Sequence, residues 1–166
     1  MGARTQEATT TTNRVVVGFQ NRKGTNELPP CAKGFQLRKS PLFEKFHIVV
    51  LFLSVDDREA INAALKCLGE DWERIPLRLS SSTVKIPTGE LFVKFKSDAT
   101  AEQIQTQLQD LKLRVVELPA RPNSAYKVTQ TPTSAAHSLE TVDSLKRLST
   151  VEYAEPNWLI VRLEEP

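Results

Sequence analysis

Two stretches of this chain, set 80 residues apart, carry the same order of apolar and polar positions. That repeat constrains the fold more than any other feature. Phe46 falls on Tyr126, Leu65 on Leu145, Lys66 on Lys146, Leu68 on Leu148 and Pro76 on Pro156. Upstream of these pairs, "RVVVGF" corresponds to "LFVKF". Self-similarity at a fixed offset means one supersecondary unit used twice.

The second copy is the easier to read. "ELFVKF" (90–95) alternates, with Leu91, Val93 and Phe95 on one face, as a strand with one buried side requires. In "TAEQIQTQLQDLK" (100–112), Ile104, Leu108 and Leu111 share a helical face, and Thr100 with Gln103 forms a capping box. "LRVVEL" (113–118) reads as strand, "ARPNS" (120–124) as turn and "AYKVTQT" (125–131) as strand. A helix with Leu139, Val142, Leu145 and Leu148 inward follows, and "VEYAEPNWLIVRLEEP" (151–166) closes the unit as a strand. The order is βαββαβ, the ferredoxin-like sandwich.

In the first copy the strands are "NRVVVGF" (13–19), "KFHIVVLFLS" (45–54) and "WERIPLRLS" (72–80). "VDDREAINAALKCLG" (55–69) is its helix, opened by Asp56 with Glu59 and stopped at Gly69. Where a first helix belongs, "QNRKGTNELPPCAKG" (20–34) reads as a Gly/Pro-rich loop. The fold class is therefore α+β, two tandem ferredoxin-like modules with antiparallel sheets, the first degenerate. The expected divisions are a Thr-rich disordered stretch at 1–12, the first module at 13–79, a linker "SSSTVKIPTG" at 80–89 and the second module at 90–166.

Chemistry is hard to find. Only His47 and His137 are present, and there is no G-x-S-x-G, G-x-G-x-x-G or G-x-x-x-x-G-K-[ST]. Cys31 and Cys67 form no metal or redox motif and read as buried or incidental thiols. The expectation is a protein that is not an enzyme, with no cofactor, no metal site and no catalytic residue. No apolar run nears the roughly 20 residues of a membrane span, so no membrane partner is expected. The N-terminus lacks the apolar core of a signal peptide, which implies a cytoplasmic chain, or an extracytoplasmic one if it belongs to a longer exported precursor.

Charge is uneven. Residues 1–45 hold eight Lys/Arg against three Asp/Glu, and the rest hold 14 against 17. A basic segment at 20–45 is the basis of an alternative reading, a tandem scaffold that binds another protein or RNA there. "KGF" (33–35) opens the RNP1 pattern, but Gln36, Leu37 and Arg38 break it, so nucleic acid is a disfavoured partner.

The closing strand is odd because an apolar run, Trp158 to Val161, continues past a Glu-Pro-Asn turn. "TGELFVKFK", "LRVVELP" and "VEYAEPNW" together resemble the propeptide of subtilisin-like serine proteases, over about residues 86–163. "FHIVVLFLS", "WERIPLRL" and "IPTG" resemble a degenerate first copy of the same propeptide. The resemblance implies an intramolecular chaperone and inhibitor whose partner is a subtilisin-like serine protease. Its sheet would pack on two surface helices of the enzyme, and its tail would lie in the active-site cleft. Carried over, Glu155 and Asn157 would cap helix N-termini of the protease, where free N–H groups and partial positive charge favour an acceptor. Ile160, Val161, Arg162 and Leu163 would thread the cleft, Leu163 in the main specificity pocket and Ile160 in the outer apolar one. In that picture the run after Asn157 has no partner in its own sheet and adds a strand to the protease. Glu164, Glu165 and Pro166 extend past Leu163, which fits an inhibitor acting in trans or a truncated precursor.

Overall fold

A computed structural model describes residues 14–35, 37–38, 40–54, 58–80, 83–130 and 133–162. The stretch 1–12, Asp56 and Leu163 lie outside these residues. The first module runs β1 (Arg14–Asn21), a 3-10 turn (Pro30–Gly34), β2 (Leu37–Arg38), α1 (Pro41–Lys45), β3 (Ile48–Ser54), α2 (Arg58–Leu68) and β4 (Trp72–Ile75). A short β5 (Arg78–Leu79) leads out of it. The second module runs β6 (Thr83–Phe95), α3 (Ala101–Asp110), β7 (Leu113–Glu117), β8 (Tyr126–Gln130), α4 (Ala135–Lys146) and β9 (Val151–Arg162).

Both sheets are antiparallel, and both have the same spatial order. In the first it is β2-β3-β1-β4; in the second, β7-β8-β6 with β9 on the far side of β6. Numbered within each unit, that is 2-3-1-4 twice, two ferredoxin-like copies. The first is degenerate as expected, since its opening helix is a loop with one 3-10 turn.

The second core follows the predicted periodicity except at Leu139, which is half-buried and outside the cluster while Ser138 and Thr141 are buried on α4. Leu91, Val93 and Phe95 meet Leu108, Val128, Val142 and Leu145, with Ile104, Leu111 and Leu148 packed at the margin. The capping box of α3 is complete: Gln103 N donates to Thr100 Oγ1 at 3.1 Å, and Thr100 N donates to Gln103 Oε1 at 2.9 Å. Ser134 caps α4, accepting from His137 N at 3.2 Å.

The first module compensates for its missing helix in two ways. Leu28 and Phe35 from the loop pack against a cluster that includes Ala32, Ala64 and Leu68. Cys31 and Cys67 are not free thiols; a disulfide joins them, with 6.0 Å between their Cα atoms. It staples the 3-10 turn to α2, holding by covalent bond what a helix would have held by packing. The spacing of 36 residues carries no motif, so only the fold brings the two sulfurs together.

The segment read as a linker is strand from Thr83 onward. Val84 and Ile86 alternate there and are buried, and Pro87 and Gly89 disguise the pattern by looking like turn residues. Gly89 has φ +94°, and a Cβ on it would sit 2.5 Å from Thr133 Cγ2. Only glycine fits both that backbone and that contact. At this point the β6–β9 register jumps from Pro87↔Trp158 to Leu91↔Pro156, an irregularity of the kind that locally disrupts a strand ladder.

Candidate binding edge on the last strand

The 12-residue β9 pairs antiparallel with β6 from Val151 to Arg162, with breaks in the register at Glu152 and Asn157. Among the described residues no other strand pairs with β9, so its second edge is open. This overturns part of the expectation for the tail. Residues 158–162 are not unpaired; they lie against Pro87 through Thr83, with Leu159 opposite Ile86 and Val161 opposite Val84. The reason is local. Val84 and Ile86 need cover on one face, and the tail supplies two apolar side chains at the matching spacing.

On its other edge the same part of β6 holds β5, with Arg78 opposite Lys85 and Leu79 opposite Val84. β5, β6 and β9 thus form a three-stranded arm beyond the main sheet. One face of this arm is turned to the first module: Val84, Ile86, Leu159 and Val161 join Phe43, Phe46, Ile48, Val50, Ile75 and Ala135 in one cluster. The other face carries Ile160, 64% exposed, opposite Lys85, with Trp158 beside it. The Arg78 guanidinium lies 4.9 Å from the centre of the Trp158 ring, a cation–π contact that fixes the indole.

Nearer the middle of β9, Glu155 is exposed and lies opposite Phe92, and Tyr153 lies opposite Lys94. Asn157 is engaged through both its side chain and its main chain. Its Nδ2 donates to Glu90 Oε2 at 3.0 Å, and its carbonyl accepts from Thr88 Oγ1 at 3.0 Å. Sequence reasoning missed Glu90, which brings a carboxylate beside the one position of the pair that lacks charge. Nothing local marks it, because Glu90 reaches Asn157 only through the β6–β9 register. Lys127 completes this face, 5.7 Å above the Phe92 ring and 3.0 Å from Glu117.

Of the expected tail residues, the structure brings Ile160 and Arg162 to the arm with Val161 turned the opposite way, toward the first module. Leu163 lies outside the described residues. Three cations of the basic segment of the alternative reading have partners in their own module. Lys23 meets Asp71 at 3.1 Å, Arg22 meets the largely buried Glu73 at 2.9 Å, and Lys45 lies 5.3 Å over the Phe46 ring. Among the described residues no three His, Cys, Asp or Glu gather as a metal site. No helix there is long and apolar enough to cross a membrane.

Residues 79–157 match the family model of the Fervidolysin N-terminal prodomain. The matched span takes in Thr83–Gly89, the segment that proved to be strand, and stops at Asn157. Comparison with curated proteins finds no match. A solved structure, the acetolactate synthase small subunit of Thermotoga maritima, overlaps with a TM-score of 0.33 at 13% identity, over 92% of this chain and 99% of that one. Overlap that loose carries no argument.

Proposed function

We propose, from the match of residues 79–157 to the Fervidolysin N-terminal prodomain, that the chain inhibits, and assists the folding of, a subtilisin-like serine protease. The observation that carries the proposal is the open edge of β9. A 12-residue edge strand offers a row of main-chain donors and acceptors to a partner's extended segment. Main-chain pairing supplies affinity, and side chains on the outward face supply selection. Ile160 is the anchor for an apolar pocket, and Leu163 is assigned to the main specificity pocket beyond it. Glu155 meets a helix N-terminus of the enzyme, and Glu90 serves beside Asn157 as the second carboxylate there.

The disulfide bears on where this happens. Such bonds persist in oxidising compartments and are rare in the cytosol. A bridge between Cys31 and Cys67 therefore supports an exported protein over a cytoplasmic one.

The test is a backbone footprint. Amide exchange is followed in the chain alone and bound to a catalytic-serine variant of a subtilisin-like protease. Slowed exchange along Val151–Arg162, with 20–45 unchanged, is expected. Protection confined to 20–45 would replace this reading with the scaffold one.

A further inference from the structure

We propose that the first module is a brace for the tail: it holds residues 158–162 as an ordered edge strand before any partner arrives. The inference rests on the inhibitor reading for its purpose, but not for its geometry. Two copies of one module usually imply two copies of one binding face. Here the face of the first sheet that lies opposite its helix is not available. Ile48, Val50 and Ile75 on that face are at most 3% exposed, and the arm that carries the tail covers them together with Phe43, Phe46 and Ala135.

The modules are locked by a buried amide. Gln20 is 1% exposed, and its side chain spans the junction. Its Nε2 donates to Phe46 O at 3.1 Å within its own module and to Thr88 O at 2.9 Å in the other. Its Oε1 accepts from Ala135 N at 2.7 Å, the first turn of α4. Ser134, which caps that helix, in turn hydrogen-bonds the Glu73 carboxylate from β4. Buried polar groups satisfied this completely specify one relative placement of the modules.

Without this cover, Val84, Ile86, Leu159 and Val161 would sit on a narrow ribbon facing water. With a third strand, β5, of only two residues, the ribbon is little more than a strand pair, which is marginal by itself. The first module therefore keeps the tail straight and fixes which side chains face outward. A partner then meets a strand whose ordering cost has already been met within the free protein, which raises affinity without adding a contact. Leu159 and Val161 act as positioning residues and stay on the brace, while the outer edge and Ile160 face the partner. Because this face of the first sheet is consumed, it offers no second docking site among the described residues.

The decisive variant is Val50→Asp, which puts a carboxylate into the brace face but leaves the outward face of the tail untouched. Amide exchange is read on the full chain. In the wild type, amides of 158–162 directed at β6 should be protected, and in Val50→Asp they should exchange about 100-fold faster or more. The amides of Leu91–Phe95 serve as the internal control and should hold. Should Val50→Asp loosen those as well, Gln20→Met, which nearly keeps the volume and removes the three side-chain hydrogen bonds, two of them across the modules, is read in the same way. Unprotected tail amides in the wild type, or tail protection unchanged in the variant, would overturn the brace. Inhibition gives an independent sign: a brace makes the variant at least about tenfold weaker, whereas a tail stored away from its target would make it tighter. A wild type that inhibits nothing removes the inhibitor reading, and the exchange experiment still decides the brace.

Discussion

Ile160→Asp is expected to weaken inhibition of the target protease by about 100-fold or more while leaving the fold intact. The two halves of that statement rest on different facts. Ile160 is 64% exposed and lies opposite Lys85, so an aspartate there loses no packing and gains an opposite charge across the strand pair. In a complex the same carboxylate would be driven into an apolar pocket without a partner, at a cost of at least about 3 kcal/mol. At about 1.4 kcal/mol per tenfold, that is roughly 100-fold in the inhibition constant. Thermal unfolding measured beside the inhibition constant separates the effects, and Ile160→Val should inhibit nearly as well as the wild type. Leu163→Asp should behave like Ile160→Asp. An inhibition constant that ignores Ile160→Asp would remove this residue from the contact.

The second large effect belongs to the disulfide. Replacing Cys31 and Cys67 together by serine should lower stability by about 3–4 kcal/mol, the range expected for releasing a loop of this length in the unfolded chain. The loss should concentrate in the first module, because the bond joins the 3-10 turn and the loop around it to α2, with only the packing of Leu28, Ala32 and Phe35 beside it. Urea denaturation of the oxidised protein, the reduced protein and the double serine variant gives the number. Reduction and double substitution should agree. If neither moves the midpoint, packing of Leu28 and Phe35 on α2 already holds the loop, and the bond adds nothing to it.

Much of the second module was legible because its signals are local. Leu91, Val93 and Phe95 alternate without interruption, Thr100 and Gln103 cap each other three residues apart, and Val142 and Leu145 sit on one helical face. The tandem arrangement was legible because the repeat preserves order even where identity is thin. What escaped was set by distance along the chain. Val84 and Ile86 look like part of a Ser/Thr/Pro linker until Leu159 and Val161, more than seventy residues later, pair beside them. The same register puts Glu90 next to Asn157 and turns Val161 inward, which no spacing rule could report. Gln20 opens the stretch read as a loop, yet it joins the two modules through buried hydrogen bonds. The disulfide escaped because a loop that replaces a helix has no periodicity to place Cys31 over α2.

The most direct measurement of the central claim is a titration of an active subtilisin-like protease with the purified chain, followed by hydrolysis of a small peptide substrate. The account predicts tight competitive inhibition, complete at one chain per enzyme and only weakly dependent on salt. A folded chain that leaves hydrolysis unchanged at every ratio would contradict it.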